Sequence, residues 1–228
     1  MSSPRTVAFD LDGTLVDTAP DLLAALNFVL GESGLAPIEE ARMRSLVGGG
    51  ARLMIERGLA FHGVPAAEAE VDRMFADFLR FYEKHIADYS RPFPGAAEML
   101  DALAAHDMNL VVVTNKIERY ARQLLEVLGL AARFSVIAGP DTYGVRKPDP
   151  GHLLRAVAAA GGSHPLTVMV GDSITDIKTA RAASVPVIAV SFGYRDGTVE
   201  SLGADHVVDR LDEIPSLLSR SGHLAGNR

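Results

Sequence analysis

Short apolar runs, each followed by a polar loop, constrain the fold of this chain more than any other feature of its sequence. The runs occupy residues 7–9, 110–113 and 168–170. Continuous apolar runs of this length are typical of strands that are buried on both faces of a parallel sheet. Segments with helical periodicity separate the later runs, and this alternation predicts right-handed βαβ units. We therefore predict an α/β fold with a doubly wound, mostly parallel, Rossmann-like sheet that binds ligands at the carboxyl ends of its strands.

A helical insertion interrupts the strand pattern soon after the first strand. Its apolar residues recur at helical spacing in three segments, over residues 22–30, 43–61 and 66–89. Thr18 is predicted to be the N-cap of the first helix, with Asp21 three residues later completing the cap. The sequence therefore predicts two domains, an α/β core of residues 1–16 and 91–228 and an all-helical domain of residues 17–90 inserted into it.

Two carboxylates follow the first strand and lead into a glycine turn. Asp10 and Asp12 are residues i and i+2 of an extended segment, so their side chains point to the same side and face one cavity. Two neighbouring carboxylates repel each other, and a divalent cation relieves that repulsion. With Mg²⁺ bound, Asp10 can stay ionised and attack phosphorus while Asp12 transfers protons. The motif therefore suits phosphoryl transfer, and an acidic surface turn is the alternative interpretation.

The other two apolar runs also end in polar residues. Thr114 and Asn115 follow the second run, and an acidic loop that contains Asp172 and Asp176 follows the third. Because Asp172 and Asp176 are four residues apart, they would lie on one face near the amino end of a helix. Lys147 lies in a cationic segment just before a predicted helix start. These residues add hydrogen-bond donors, a cation and further carboxylates to the first motif.

Taken in order along the chain, these motifs resemble the four motifs of the haloacid dehalogenase superfamily. The resemblance is carried by the segments FDLDGTLVDTAPDL, VVVTNK, RKPDP and VGDSITDIKTARAA. Together with VGGGARLMIERGL and SFGY, they resemble the phosphoglycolate phosphatase branch of that superfamily, over residues 7 to about 218. One residue departs from this pattern. Ser184 stands where members of the branch usually carry glycine, which predicts backbone strain at a helix C-terminus.

The resemblance implies roles for the carboxylates and for a magnesium ion. Asp10 is the implied nucleophile and a metal ligand. Asp12 is the implied general acid and base, and it also contacts the metal through its backbone carbonyl oxygen. Asp172 is the remaining side-chain ligand, and such oxygen ligands suit Mg²⁺. The resemblance also implies that the helical insertion is a mobile cap that closes over the site, while a helical bundle that serves only stability is the alternative.

Four further residues are implied to serve the phosphoryl group. Thr114 and the backbone N–H of Asn115 donate hydrogen bonds to its oxygens, and Lys147 balances its charge. Asp176 supports the site by holding a metal-bound water or by orienting Lys147, with capping of the helix start as the alternative. Lys116 receives no role, because its position is equally compatible with a surface charge and with a substrate contact.

A glycine-rich segment of the insertion is the candidate for binding the rest of the substrate. It contains three consecutive glycines, of which Gly49 and Gly50 let the backbone approach an anion closely and offer N–H groups to it. Arg52 can then bind a substrate carboxylate in a bidentate pair. A surface ion pair with Glu56, four residues later on the same helix, is the alternative for Arg52.

These residues predict a Mg²⁺-dependent phosphatase that hydrolyses a small anionic phosphomonoester through an aspartyl-phosphate intermediate. The resemblance implies that the substrate is 2-phosphoglycolate. Within the same superfamily, the alternatives are a phosphatase for a sugar phosphate, a nucleotide or pyrophosphate, and a phosphomutase. An alternative from a different class is a phosphorylatable, receiver-like signalling module, which also combines acidic residues, a threonine and a lysine on a parallel sheet. Such a module needs neither Asp12 nor a large insertion.

Composition limits the remaining classes of function. The 228-residue chain has no cysteine, which excludes disulfides and thiolate metal sites. Its formal net charge of −7 argues against a nucleic-acid partner, which would need a basic face. No apolar stretch approaches the ~20 residues that cross a bilayer, and no secretory signal precedes the first strand. We therefore predict no membrane partner and a cytoplasmic location, while the sequence indicates no particular oligomeric state.

Overall fold

The structure is a computed structural model that describes residues 5–42, 46–47, 49–194 and 197–220. The strands are β1 (Thr6–Phe9), β2 (Val16–Asp17), β3 (Arg91–Pro92), β4 (Asn109–Val113), β5 (Val136–Ala138), β6 (Thr167–Gly171), β7 (Val187–Val190) and β8 (His206–Val208). The α-helices of the described residues are α1 (Ala19–Glu32), α2 (Ala51–Phe61), α3 (Glu68–Lys84), α4 (Ala96–Ala104), α5 (Glu118–Val127), α6 (Pro140–Tyr143), α7 (Pro150–Ala159), α8 (Ile174–Ala182) and α9 (Ile214–Arg220). None of these helices is both long and apolar enough to cross a membrane.

Six strands form one parallel sheet in the order β5-β4-β1-β6-β7-β8. The chain runs outward from β1 to β4 and β5, returns to the other side of β1 with β6, and continues to β7 and β8. Phe9 of the central strand β1 therefore lies between Val112 of β4 and Val170 of β6. The strand order reverses next to β1, and the crevice at such a reversal is where parallel sheets bind ligands. The predicted doubly wound α/β fold is confirmed.

The apolar runs of the three central strands are buried on both faces of the sheet. Val7 and Phe9 belong to one apolar cluster, which includes residues of α4 and α5. Ala8 belongs to a second cluster with Val111, Met169 and residues of α7 and α8. All five of these strand residues are fully buried. Because helices cover both faces, the strands have no polar side, which explains why their sequence shows runs rather than alternation.

Three described helices, α1, α2 and α3, lie between β2 and β3, where the sequence predicts the insertion. Helix α1 packs against α3, and α2 contacts both. Helix α3 ends at Lys84 rather than at Tyr89, where the predicted helix ends. Strands β2 and β3 form an antiparallel two-stranded ribbon in which Val16 lies opposite Pro92. This ribbon brings together the two points at which the chain leaves the sheet and returns to it.

The second helix of the insertion begins later than predicted. Helix α2 starts at Ala51, because Gly49 and Gly50 have φ angles of 79° and 96°, which are outside the helical region. Residues 43–45 and Gly48, which the prediction also included, lie outside the described residues. The glycines therefore separate α2 from the preceding segment and turn the backbone there.

The start of α1 differs from the predicted capping arrangement. Thr18 occupies the N-cap position, but its φ and ψ of −99° and −4° are not the extended values that side-chain capping requires. Its hydroxyl donates instead to Asp12 Oδ1, at 2.7 Å. The buried carboxylate of Asp21 accepts hydrogen bonds from the backbone N–H groups of Tyr89 and Ser90 and from the Ser90 hydroxyl. Thr18 therefore has the predicted N-cap position, but the predicted side-chain capping is wrong, because both side chains have other partners.

The turn after α8 has the backbone strain that the sequence predicts at Ser184. Its φ is 55°, in the left-handed region, which costs a residue with a side chain roughly 1 kcal/mol relative to glycine. The backbone N–H of Ser184 donates to the carbonyl oxygen of Arg181, as at an ordinary helix end. The departure from the family pattern therefore affects one helix terminus and none of the predicted site residues.

Candidate active site

The carboxyl ends of the three central strands bring the predicted site residues together. Asp10 follows β1, Thr114 follows β4, and Asp172 follows β6. The sheet hydrogen bonding continues into this edge, because the Asp10 N–H donates to the carbonyl oxygen of Val170 and the Thr114 N–H donates to that of Ala138. Residues more than a hundred positions apart in the chain therefore face one crevice.

Three carboxylates form an acidic cluster at this edge. One oxygen each from Asp10, Asp172 and Asp176 lies within 4.8 Å of the others. Asp172 and Asp176 are buried, and Asp10 is almost so. Carboxylate oxygens at this separation are ligands that hard divalent cations prefer. The side chain of Asp12 is not part of this cluster and contacts Thr18 and Lys116 instead.

Lys147 is the counter-ion of the acidic cluster. Its Nζ lies 2.7 Å from Asp10 Oδ1 and 2.7 Å from Asp176 Oδ1, and its side chain is buried. When the three carboxylates are ionised, this one ammonium group leaves two negative charges uncompensated. A divalent cation would neutralise that charge, so the residues present fit a metal of this class.

Burial and mutual repulsion shift the titration of the cluster. Burial raises the pKa of Asp10 to about 7, against the opposing charge of Lys147. Burial also raises the pKa of Asp172 well above its ordinary value, and the charges of Asp176 and Asp10 raise it further. Burial alone would lower the pKa of Lys147, but the two carboxylates beside it outweigh burial and raise that pKa. A cation bound here would stabilise the ionised carboxylates and lower their pKa values.

Asp176 contacts both Lys147 and the start of α8, which are two of the partners that the sequence leaves open for it. Its Oδ1 accepts from the ammonium group of Lys147. Its Oδ2 accepts from the backbone N–H of Ser173, at 3.1 Å, and from the Ser173 hydroxyl, at 2.7 Å. Asp176 therefore orients Lys147 and also caps the start of α8. The contact with Lys147 and the helix cap, which the sequence leaves as alternatives, occur together.

Hydrogen bonds from two neighbouring residues hold the carboxylate of Asp172. Its Oδ1 accepts from the hydroxyl of Thr14, at 3.2 Å, and its Oδ2 accepts from the backbone N–H of Tyr194, at 2.6 Å. Two glycines make this packing possible. A Cβ at Gly13 would lie 2.5 Å from Asp172 Oδ2, and a Cβ at Gly193 would lie 2.1 Å from the Asp172 Cβ. The position of this carboxylate therefore depends on the absence of side chains at both sites.

Thr114 and Asn115 lie where the sequence predicts a phosphoryl-binding pair. The buried Thr114 hydroxyl accepts a hydrogen bond from the backbone N–H of Lys116, at 3.1 Å, so its own proton is left to donate elsewhere. The Asn115 side chain has a role that the sequence did not indicate. Its Nδ2 donates to the Lys147 carbonyl oxygen, and its Oδ1 accepts from the Lys147 backbone N–H. This pair of bonds fixes the loop that carries Lys147.

Lys116 is a site residue that sequence reasoning left out. Its Nζ lies 2.7 Å and 3.0 Å from the two carboxylate oxygens of Asp12, and its side chain is 6% exposed. Asp12 Oδ1 also accepts from the Thr18 hydroxyl. The only signal in the sequence was the position of Lys116 directly after Thr114 and Asn115, which does not determine the direction of its side chain.

Tyr194 connects the acidic cluster to the start of the insertion. Besides its backbone bond to Asp172, its hydroxyl donates to the carboxylate of Asp17 in β2. The same hydroxyl oxygen accepts from the backbone N–H of Ala19, at 2.9 Å, at the start of α1. The side chain of Tyr194 is buried. The contact with Asp17 was not predicted, because the two residues are 177 positions apart.

A cavity of about 180 Å³ lies between the sheet edge and the insertion. Asp10, Asp12, Thr114, Lys116, Lys147 and Asp172 form its polar side. Leu22, Met54, Phe75, Phe78, Leu79 and Tyr82 form much of its other side, and they belong to the three helices of the insertion. The cavity therefore has a charged side made by the sheet and a largely apolar side made by the insertion.

The glycine segment of the insertion lies close to the loops at the sheet edge. A Cβ at Gly50 would lie 3.5 Å from the carbonyl oxygen of Asn115. The carbonyl oxygen of Gly49 accepts a hydrogen bond from the guanidinium group of Arg146, which is otherwise exposed. These contacts bring the backbone of Gly49 and Gly50 to the wall of the cavity. Binding of substrate by these glycines stays a prediction.

Arg52 makes the ion pair that was its alternative interpretation. Its Nε lies 3.6 Å from Glu56 Oε1, and its Nη1 is hydrogen-bonded to the carboxylate of Asp72 on α3. The side chain is 40% exposed and also borders the cavity. Its binding of a substrate carboxylate stays a prediction, and two carboxylates of the insertion already neutralise its charge.

Comparison with known proteins identifies the class to which this fold and site belong. Residues 7–190 match the model of the haloacid dehalogenase-like hydrolase family. The chain belongs to this family, and the predicted resemblance is confirmed. A crystal structure of a predicted phosphoglycolate phosphatase from Haemophilus somnus 129PT has a TM-score of 0.87 and 27% identity, covering 95% of this chain and 99% of the other.

Two curated relatives narrow the class further. The chain is 46% identical over 207 residues to a phosphoglycolate phosphatase from Agrobacterium fabrum, covering 91% of this chain and 88% of the relative. It is 37% identical over 219 residues to an N-acetylmuramic acid 6-phosphate phosphatase from Pseudomonas aeruginosa, covering 95% and 96%. The protein is a phosphomonoester hydrolase of this family, which excludes the receiver-like signalling module.

Proposed function

We propose that the protein is a Mg²⁺-dependent phosphatase that hydrolyses 2-phosphoglycolate to glycolate and phosphate through a phosphorylated Asp10. The observation that carries the proposal is the cluster of Asp10, Asp172 and Asp176 with Lys147 at one end of the cavity. Phosphoglycolate phosphatases from several bacteria are similar to the chain over nearly its whole length, which supports the substrate.

Asp10 and Asp172 would hold the metal with their carboxylates, and Asp12 with its backbone carbonyl oxygen. When bound, Mg²⁺ would neutralise the excess negative charge and polarise a phosphoryl oxygen. Mg²⁺ fits this site because all the proposed ligands are oxygen atoms. In addition, Lys147 leaves two negative charges of the carboxylate cluster uncompensated. Asp176 supports the site by positioning Lys147 and the start of α8.

The first half-reaction transfers the phosphoryl group to the enzyme. A carboxylate oxygen of Asp10 attacks phosphorus, and the bond between phosphorus and the leaving oxygen breaks. Asp12 donates its proton to the leaving oxygen, so glycolate departs as the alcohol. Thr114 and the backbone N–H of Asn115 donate hydrogen bonds to the phosphoryl oxygens, while Lys147 balances their charge.

The second half-reaction regenerates the enzyme. Asp12, now ionised, takes a proton from water as the water oxygen attacks the phosphorus of phospho-Asp10. The bond between phosphorus and the Asp10 oxygen then breaks, which releases phosphate and restores the carboxylate. We propose that residues 17–90 form a cap domain on a core of residues 1–16 and 91–228, because their helices enclose the cavity and exclude bulk water during both steps.

The substrate proposal predicts a preference for a carboxylated phosphomonoester. We expect kcat/KM for 2-phosphoglycolate to exceed that for ethyl phosphate by about ten- to a hundredfold, because a buried charged group that loses its hydrogen-bonding partner costs about 1.5–3 kcal/mol. Release of phosphate from both substrates, measured with Mg²⁺ present, tests this. Equal efficiencies would leave the phosphatase activity standing and remove 2-phosphoglycolate as the preferred substrate.

A sugar phosphate is the second candidate substrate, and the apolar side of the cavity favours it. Phe75, Phe78 and Leu79 offer contacts that the small glycolate group cannot use. The relative from Pseudomonas aeruginosa is a phosphatase for N-acetylmuramic acid 6-phosphate. Adding that compound to the substrate panel separates the two candidates, because the better substrate should show the higher kcat/KM.

The metal proposal predicts unequal effects at two carboxylates. We expect Asp172→Asn to raise the Mg²⁺ concentration needed for half-maximal activity by more than Asp176→Asn does, because only Asp172 is a proposed direct ligand. Activity measured over a Mg²⁺ titration of wild type and both variants gives the comparison, and EDTA should abolish wild-type activity. Full activity after exhaustive chelation would show that the Mg²⁺ proposal is wrong.

A further inference from the structure

One buried cation of the cavity has no role in the proposed chemistry. Of the cationic side chains that line the cavity in the described residues, Lys147 is paired with Asp10 and Asp176. Arg52 and Arg146 lie at exposed positions, where each already has partners. Lys116 is different, because its side chain is 6% exposed and its ammonium group contacts only one carboxylate, that of Asp12. An ammonium group has three N–H donors, so Lys116 can bind a second anion beside Asp12.

A tyrosine of the insertion lies against this ammonium group. Tyr82, on α3, is 2% exposed and lines the same cavity. The Nζ of Lys116 lies 4.8 Å from the centre of the Tyr82 ring. The Tyr82 hydroxyl is buried but makes no hydrogen bond of normal geometry to any described residue. Buried hydroxyl groups usually have a partner, so the Tyr82 hydroxyl is a candidate donor to an acceptor of a bound ligand.

We propose that Lys116 and Tyr82 together bind the carboxylate of the leaving group and so determine the preference for a carboxylated phosphomonoester. The proposal rests on the proposed function, in which Asp12 protonates the leaving oxygen. In 2-phosphoglycolate, the carboxylate carbon is only two bonds from that oxygen. A group that recognises the carboxylate must therefore lie next to Asp12, and Lys116 contacts both oxygens of Asp12.

The remaining surroundings favour this pair over other candidates. Phe78 and Leu79, on the same helix as Tyr82, present apolar side chains to the cavity. The charge of Arg52 is compensated by Asp72 and Glu56. Among the described residues that line the cavity, a carboxylate therefore meets a buried ammonium group with N–H donors to spare beside Asp12, and a buried hydroxyl with no hydrogen-bond partner of normal geometry. A substrate with an uncharged tail gains neither interaction, which lowers its kcat/KM relative to the carboxylated substrate.

The test compares the ratio of kcat/KM for 2-phosphoglycolate to that for ethyl phosphate. In Lys116→Met, which preserves side-chain length, we expect the ratio to fall at least tenfold, and in Tyr82→Phe several-fold. Lys116→Arg, which restores the positive charge, should recover part of the preference. Removing Lys116 also removes the ion-pair partner of Asp12, which changes kcat/KM for both substrates. The ratio of the two kcat/KM values is not affected by a change that is equal for both. Arg52→Met should keep the ratio, and Lys84→Met, an exposed lysine on α3, is the matched control.

Binding of unreactive analogues gives a second readout that does not depend on Asp12. Calorimetry with Mg²⁺ present should show that wild type binds 3-phosphonopropionate more tightly than propylphosphonate, which lacks the carboxylate. The difference should be lost in Lys116→Met, whose folding is checked by its thermal transition.

The possible outcomes separate the two proposals. If wild type prefers 2-phosphoglycolate and Lys116→Met keeps that preference in both measurements, the assignment of Lys116 is wrong and the proposed function stands. Loss of the preference in Arg52→Met alone would also overturn the assignment, in favour of Arg52. If wild type shows no preference, 2-phosphoglycolate is not the preferred substrate, and the proposal that Lys116 binds its carboxylate is wrong as well.

Discussion

Asp10→Asn should abolish turnover and prevent formation of a covalent phosphoenzyme. The amide is nearly the same size as the carboxylate, but its oxygen is a far weaker nucleophile. Loss of a covalent nucleophile lowers kcat in other enzymes by up to about 10⁶-fold, and we expect a loss of at least ~10⁴-fold here. The variant should remain folded, because Lys147 keeps its ion pair with the buried Asp176.

Acid-quench labelling with a radioactive phosphomonoester measures the intermediate directly. Wild type should retain covalent label, and the Asn variant should retain none. Asp107→Asn is the matched control, since Asp107 is exposed and its φ of 55° is one that asparagine also adopts. Covalent label on the Asp10→Asn protein would mean that another residue is the nucleophile.

Asp12→Asn should slow both half-reactions, by roughly 10²- to 10⁴-fold, which is the usual contribution of general acid–base catalysis. The loss in the first half-reaction should depend on the leaving group. An alkyl phosphate needs a proton on its leaving oxygen, whereas the nitrophenolate of para-nitrophenyl phosphate departs readily without one. We therefore expect a smaller loss of phosphorylation rate for para-nitrophenyl phosphate.

Single-turnover measurements of the phosphorylation step test this prediction with both substrates. The geometry around Asp12 should survive the substitution in part, because the Thr18 hydroxyl can donate to the amide oxygen as it does to Asp12 Oδ1. The ion pair with Lys116 is lost equally for both substrates. Equal losses for the alkyl and the nitrophenyl ester would therefore contradict the role of Asp12 as the acid.

The sheet and the placement of the acidic residues could be predicted from the sequence because they depend on local patterns. An apolar run that is buried on both faces defines a central strand, and in a parallel sheet all strand ends of one kind share an edge. Asp10, Thr114 and Asp172 follow such runs directly. They therefore lie close together once β1, β4 and β6 are neighbours in the sheet.

The contacts around Asp12 could not be predicted, because they depend on elements that meet only in three dimensions. Lys116 lies in the loop after β4, and its ammonium group contacts Asp12 from another loop and the ring of Tyr82 on a helix of the insertion. Thr18 has the residue type and position of a helix cap, but the nearby carboxylate of Asp12 takes its hydroxyl. The Asn115 bonds to the Lys147 backbone join loops 32 residues apart. Local spacing carries no signal for any of these partners.

The ribbon formed by β2 and β3 makes the helices between them a replaceable module. The chain leaves the sheet next to Val16 and returns to it next to Pro92, and these two residues are paired in the ribbon. A short loop could therefore connect the same two positions. Exchanging a segment whose ends already touch adds little loop-closure entropy and leaves the registers of the six-stranded sheet unchanged. Selection for a new leaving group can therefore act on the inserted helices while phosphoryl transfer is inherited with the sheet.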